Sequence, residues 1–372
     1  MTRVGIYIGT TRDDTENVEK LLLSWGKYLS SRFDVEAFGS TPLPDSAKQY
    51  YDRVQTPEKS FPWFLGSVPS PAVFSKIATV HRQCAQYVQQ RSPDVLIQLW
   101  CFNSHAAGVA SAGRRYGVPT ITRYSGSTFD AYKFHRGVEQ AGVFALNNVL
   151  NRFVVSHLSD KIITLGPNGR DAVKRRGIRE EDIVMLPPTL DSEGRFYPVA
   201  DDEPIRRRLG LPIDRKIALY VGRLSKLKGM PFLEDVLSSL QDRTDFQFVV
   251  IGEGPYREQL TAKFDDRTVI APGHVPYEEI DRYYKAADLY VHPSPKEGVP
   301  LVILEAMECG VPVVARQAGD VGFVTNNVVT TVAEMVSVIE NEAWDEEWLN
   351  ERYFRPQFQK GRLRDAIDSV TG

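Results

Sequence analysis

The stretch EGVPLVILEAMECGVPVVA, residues 297–315, opens on one carboxylate, Glu297, and carries a second, Glu305, within a run apolar enough to be core. Upstream, DLYVHPS (288–294) reads as a strand that stops at Pro293. Pro300 suits the first turn of a helix, where a missing N–H costs nothing. LVILEAMEC (301–309) then continues as a helix, Gly310 ends it, and VPVVA is the next strand. A strand, a loop, a helix and a strand make a parallel βαβ unit. Glu297 thereby falls in the loop at a strand's carboxyl end, the usual place for ligands in open parallel sheets. Gly298 lets a backbone approach closely. The helix start at Val299, Pro300 and Leu301 favours an anionic or oxygen-rich group. Glu305 lies about five residues along, or roughly 7.5 Å at 1.5 Å per residue. Two such carboxylates can hold two ends of an extended polar molecule. A buried carboxylate needs donors, and vicinal sugar hydroxyls supply them. The competing reading is that Glu305 and Glu308, three apart, share a solvated helix face.

The same alternation extends outward. RVGIYIG, DVLIQLW, PTITRYS, KIITLG and DIVMLP are strands set between amphipathic runs such as 17–32 and 72–91. It breaks at PPTLDSEGRFYPVADDEP (187–204) and restarts at KIALYVGR. The fold class is therefore α/β, with two doubly wound Rossmann-like domains in tandem. The expected limits are 1–195, 196–345, and a terminal segment 346–372 of two helices. Residues 40–70, rich in Pro and aromatics, read as an ordered surface excursion.

Composition bounds the partners. The chain has 372 residues, is 42% apolar and 25% charged, and has a net charge of −3. That suits a soluble two-domain protein and argues against a general nucleic-acid binder. Cys84, Cys101 and Cys309 show no metal or disulfide spacing, which fits a reducing cytoplasm. No signal core and no apolar run of about 18 residues is present, so no membrane span is expected. Residues 1–195 carry 24 Lys+Arg against 19 Asp+Glu, and the remainder is acidic. A basic first half suits an anionic partner; chance surface variation explains it equally.

Two further clusters belong with the glutamates. YVGRLSKLKG (220–229) places Arg223, Lys226 and Lys228 just beyond a strand ending at Gly222. A departing diphosphate needs cationic stabilisation, and no Asp-x-Asp triplet is present to hold a metal. Fixed side-chain cations do that work without one; a basic solvated turn is the alternative. VVIGEGP (249–255) is a strand with a Gly252-x-Gly254 turn, weak alone because the full dinucleotide spacing is missing.

Together, in order and spacing over about 215–325, these segments resemble the donor domain of the retaining group 1 glycosyltransferases (family 4), which have the GT-B fold of two Rossmann-like domains facing across a cleft. The resemblance implies a metal-independent, cofactor-free enzyme that moves a sugar from a UDP- or GDP-sugar to a glycan or lipid-linked acceptor. Arg223 and Lys228 would hold the donor diphosphate. Glu305 would accept from the ribose, Glu297 would touch the transferred sugar, and the Gly298–Leu301 backbone would surround sugar and phosphate. Gly273, His274 and Val275 would lie against the base. The first half departs from the pattern. The family's glycine-rich first loop is here IGTTRDD, with Gly9 alone. Arg123–Tyr124–Ser125 stands where the family often has a histidine. Arg123 reads either as an anion ligand for acceptor or donor or as half of a structural salt bridge. His105 reads as a cleft residue or a helix cap. The helix at 138–157, together with RRYG (114–117) and VKRRGIRE (173–180), is a candidate contact with an anionic membrane, with core packing as the other reading for the helix. The last helix would cross back to the first domain, anchored by Trp344, Trp348 and Tyr353, or else stay on its own. A nucleotide-sugar epimerase and a non-catalytic nucleotide-sugar-binding subunit are the rival functions.

Overall fold

The computed structural model describes residues 1–9, 15–56, 71–100, 102–124, 129, 132–133, 136–190 and 194–372. The chain divides into two compact units, Met1–Pro187 with Gln357–Gly372, and Pro188–Pro356.

The first unit holds seven strands: β1 (Arg3–Tyr7), β2 (Asp34–Gly39), β3 (Asp52–Gln55), β4 (Val95–Gln98), β5 (Thr120–Tyr124), β6 (Lys161–Thr164) and β7 (Ile183–Met185). They pair in parallel in the order β3-β2-β1-β4-β5-β6-β7. Strands buried on both faces need no polar alternation, and Val4, Ile6, Leu96 and Ile97 are fully buried. One face packs Leu22, Trp25 and Leu29 of helix Thr15–Leu29 together with Leu363, Ala366 and Ile367 of the terminal helix Pro356–Thr371. The other receives Val80, Cys84 and Tyr87 of helix Pro71–Arg91.

The second unit holds β8 (Lys216–Val221), β9 (Phe246–Ile251), β10 (Val269–Gly273), β11 (Leu289–His292), β12 (Val313–Arg316) and β13 (Val328–Val329), in the order β10-β9-β8-β11-β12-β13. Every pair is again parallel. Helices Ile280–Lys285 and Leu301–Glu308 pack one face. Helices Met230–Leu240 and Val332–Glu340 pack the other.

Four expectations change. The boundaries fall at Pro187/Pro188 and Pro356/Gln357 rather than at 195 and 346, because Thr189 Oγ1 donates to Phe354 O at 2.7 Å and Leu190 packs on the second unit's core. Residues 40–56 contain a 3-10 helix, Asp45–Tyr50, and the edge strand β3; the rest of the 40–70 stretch lies outside the described residues. Trp344, Trp348 and Tyr353 do not anchor the last helix. Trp344 and Trp348 pack on the second unit's core, and Tyr353 meets Phe323 edge-on. Only one α-helix follows residue 345. It is tied to the first unit by Arg364 Nε donating to Tyr28 O at 2.9 Å and by Arg32–Asp368 at 2.7 Å.

Candidate active site

In the second sheet the strand order reverses between β8 and β11, which opens a crevice at their carboxyl ends. The loop after β8 carries Gly222 to Gly229, and the loop after β11 carries Pro293 to Pro300. The two pack directly: Gly229 has φ +81°, and a Cβ there would lie 2.1 Å from Pro293 O. This contact brings Lys228 to Glu297, Nζ to Oε1 2.7 Å, with side-chain exposures of 42% and 12%. Arg223 is exposed, has no ion pair among the described residues, and its carbonyl accepts from Tyr220 Oη at 3.1 Å.

The glycine turns line up beside this pair. Gly222 N donates to Ile251 O at 3.0 Å and Gly252 N to Gly273 O at 2.9 Å, while Leu224 N donates to Glu253 O at 2.8 Å. Gly222, Gly252, Gly254 and Gly273 thus form one row along the carboxyl edge. His274 follows, exposed, with its N–H donating to Glu253 Oε1 at 3.2 Å, and Val275 is half-buried. Pro300 caps the helix instead of starting it, with φ −74° and ψ 129°. Gly298 O accepts from Asp320 N at 3.0 Å, which fixes the loop. Val299 is buried in the core cluster, and Leu301 is half-buried against it.

Glu305 and Glu308 do not share a solvated face. Glu305 is 4% exposed and accepts from Tyr284 Oη at 2.8 Å. Glu308 receives Arg355 Nη1 at 2.8 Å. Burial and the adjoining Glu305 carboxylate raise the Tyr284 phenol well above its usual value, so it stays a neutral donor.

His292, which ends β11, was not legible as a site residue. It is 3% exposed, its Nε2 lies 3.7 Å from Glu297 Oε1, and neither ring nitrogen has a hydrogen-bond partner among the described residues. Burial pushes its pKa down to about 4, against the pull of Glu297. One polar residue closing the apolar strand LYVH, just before the glutamate loop, was the available signal.

The first sheet has its own switch point, between β1 and β4. Gly9, His105 and Arg123 gather beside it. A Cβ on Gly9 would lie 2.4 Å from His105 Cε1, so the ring occupies the space of the missing side chain. His105 is 1% exposed and its Nδ1 lies 3.0 Å from Trp100 O. A carbonyl only accepts, so Nδ1 carries the proton. Burial lowers its pKa to about 3. It is an interior residue of the turn after β4, within a π-helical stretch Phe102–Ala106, and does not cap the following helix. Arg123, near the end of β5, is 7% exposed. Its N–H donates to Gln98 Oε1 at 2.8 Å and its Nη1 reaches only Leu99 O at 3.5 Å. No salt bridge accounts for it among the described residues. Tyr124 is a correction: its ring is 2% exposed, stacks on Phe129 at 4.8 Å, and belongs to a core cluster with Ala106 and Val154. Successive strand residues point to opposite faces, so Arg123 and Tyr124 lie on opposite sides of β5. Ser125 lies outside the described residues.

The anticipated helix at 138–157 is present as Gly137–Ala145, Leu146–Leu150 and Asn151–His157. Val154 packs inward, but Val138, Phe144, Val149 and Phe153 are exposed. Among the described residues no helix is long and apolar enough to cross a membrane.

Known proteins resemble the chain in sequence and in fold. The family model for glycosyl transferases group 1 matches residues 201–334, and that for a glycosyl transferase 4-like domain matches residues 23–189. A putative teichuronic acid biosynthesis glycosyltransferase, TuaC of Bacillus subtilis, is 30% identical over 357 residues, covering 89% of this chain and 86% of its own. A D-inositol 3-phosphate glycosyltransferase of Acidothermus cellulolyticus is 28% identical over 61% of this chain and 52% of its own. The crystal structure of Anabaena HepE in complex with UDP-glucose shares the fold, with TM-score 0.65 and 16% identity over 100% of this chain and 97% of that one. With two family models over its two halves and a relative matched nearly end to end, the chain belongs to the group 1 glycosyl transferases and is a glycosyltransferase of GT-B fold.

Proposed function

We propose that this glycosyltransferase moves a hexose from a nucleotide-diphosphate donor, UDP- or GDP-linked, to a glycan or lipid-linked acceptor, with retained anomeric configuration and no metal. The observation that carries the reading is the Lys228–Glu297 pair at the carboxyl end of the second sheet's switch point. Donor binding exchanges the partners. Lys228 leaves Glu297 for the diphosphate, where exposed Arg223 joins it, and Glu297 turns to the sugar hydroxyls. His292, buried beside Glu297 with ring nitrogens that have no hydrogen-bond partner among the described residues, is placed to steady that carboxylate once the lysine has gone. Glu305, oriented by Tyr284, accepts from the ribose. As the anomeric C–O bond breaks, charge gathers on the leaving diphosphate, and fixed cations stabilise that charge more than they stabilise the ground state. HepE, crystallised with UDP-glucose, supports a nucleotide-sugar donor by analogy of fold. TuaC, named for teichuronic acid biosynthesis, supports an acceptor in glycan synthesis. The exposed apolar side chains of helix 137–157 support a peripheral contact with an anionic membrane.

A thermal-shift screen of UDP- and GDP-sugars, followed by product analysis of the stabilising donor, tests this. The expected result is one stabilising donor, slowly hydrolysed in water and rapidly consumed with acceptor. Isomerised donor without acceptor would make the chain an epimerase, a reading its relatives disfavour. Stabilisation with no turnover under any condition would make it a binding subunit.

A further inference from the structure

The first unit buries a full positive charge with no counter-charge among the described residues. Arg123 is 7% exposed, and among the described residues its guanidinium makes one hydrogen bond, a long 3.5 Å approach to Leu99 O. Isolated ions of this kind cost several kcal/mol in real proteins and are kept where something pairs with them. The surroundings are built. Gln98 Oε1 takes the Arg123 N–H at 2.8 Å, while Gln98 Nε2 donates to Trp100 O at 2.7 Å. The same Trp100 carbonyl takes the His105 Nδ1 proton at 3.0 Å. Leu99 and Trp100, the turn that leaves β4, are thus braced between Arg123 and His105. Gly9 closes the other side by leaving room for the imidazole. The guanidinium therefore stands at the carboxyl edge of β4 and β5, beside the strand-order reversal where open sheets take ligands. Burial lowers its pKa only to about 10, so it is charged at neutral pH. His105, held neutral, adds no competing cation.

We propose that the Arg123 guanidinium is the receptor for an oxyanion carried by the acceptor, a phosphoester or a uronate carboxylate. This deepens the transferase reading and rests on it. The fork geometry of a guanidinium suits both anions, and each accepts two parallel N–H bonds. A glycan acceptor with only hydroxyl groups would leave this buried charge unpaired in every complex.

The test uses the full chain in an Arg223→Ala background, so that a free anion does not report on the donor diphosphate site. Thermal midpoints are measured with increasing inorganic phosphate in one arm and glucuronate in another, with and without Arg123→Met. Removing an unpaired buried charge is expected to leave the anion-free midpoint of Arg123→Met at or above that of its parent. In the parent, the matching anion raises the midpoint by about 5 °C at a hundredfold excess over its Kd, and Arg123→Met abolishes the rise. The arm that responds names the anion, phosphoester or carboxylate. Response in neither arm, or an equal response in Arg123→Met, overturns the proposal. So does a fall in the anion-free midpoint with Arg123→Met, which marks a packing role. UDP and GDP titrations of Arg123→Met alone give the last check: a tenfold loss of nucleotide affinity would assign the anion to the donor and end the acceptor reading. Failure of the unaltered chain to bind or consume any nucleotide-sugar would defeat the transferase reading itself, whatever Arg123 does.

Discussion

On the proposed reading, Glu297→Gln is expected to separate nucleotide binding from turnover, because Glu297 has two roles there that the substitution affects in opposite directions. Without donor, its carboxylate holds Lys228 at 2.7 Å. Coulomb attraction at that distance is about 1.5 kcal/mol in water and about 6 kcal/mol at an effective dielectric of 20. Lys228 is 42% exposed, so the lower end applies, and measured exposed pairs contribute roughly 0.2–1 kcal/mol. A nucleotide diphosphate must break this pair to engage the lysine. Glutamine keeps the shape but releases Lys228 and removes a negative charge beside the phosphates. Glu297→Gln is therefore expected to bind free UDP or GDP, whichever the chain takes, about fivefold more tightly, or about 1 kcal/mol. It also loses the contact to the transferred sugar. If that contact is made mainly in the transition state, turnover falls by about a hundredfold or more, as on removing a fixed electrostatic stabiliser. Calorimetry with the free nucleotide, which lacks the sugar, isolates the first effect, and donor consumption with acceptor isolates the second. Ionic strength must be held constant, since a half-open pair is screened by salt. The gain in affinity should vanish in a Lys228→Ala background, because no lysine is left to release. Nucleotide affinity equal to or weaker than that of the unaltered chain, or a gain that survives Lys228→Ala, would show that the pair does not gate the site.

Three other perturbations follow from the geometry. Arg223→Ala, at an exposed side chain without an ion pair among the described residues, should lower turnover about a hundredfold with an unchanged melting midpoint; near-normal turnover would remove Arg223 from the diphosphate site. Gly229→Ala places a Cβ 2.1 Å from Pro293 O at φ +81°, so it should destabilise by at least about 1–3 kcal/mol and lower turnover by separating Lys228 from Glu297; a neutral result in denaturant titration and in activity would contradict the loop packing. Acid should destabilise the protein through its buried histidines. Their folded pKa values, about 3 for His105 and about 4 for His292, lie below the unfolded value, so the unfolded chain binds protons first as pH falls below about 6.5. Stability is then full above that pH and declines down to about 3–4, by several kcal/mol in all at about 1.4 kcal/mol per unit. His105→Asn with His292→Gln should flatten that decline in denaturant titrations across pH 7 to 4.5, and an unchanged slope would refute the assignment.

Much of this architecture was legible because it is written in local signals. Parallel strands buried on both faces are short Val/Ile runs, and helices between them are amphipathic, so β8, β9, β11 and β12 could be placed with the glycines and the EGVP loop at their carboxyl ends. The edge strand β3 was not, because DRVQ is polar and follows a proline-bearing stretch. The unit boundary was misplaced for a related reason. Thr189 and Leu190 sit beside prolines in the sequence, and only the bond from Thr189 Oγ1 to Phe354 O and the packing of Leu190 on the second core assign them to the second unit.

The sequence by itself determined that two doubly wound sheets would form and that Arg223, Lys228, Glu297 and Glu305 would fall in or beside loops at strand ends, since residue type and period fix those placements. Tertiary structure alone decided which groups meet. Lys228 and Glu297 are 69 residues apart, and it takes a bare glycine against a proline carbonyl to bring them together. The separation of Glu305 from Glu308, the burial of His292 and the burial of the Arg123 charge are likewise properties of neighbours distant in the chain. Burial and pairing, which set the chemistry of an ionisable group, exist only once those neighbours have packed.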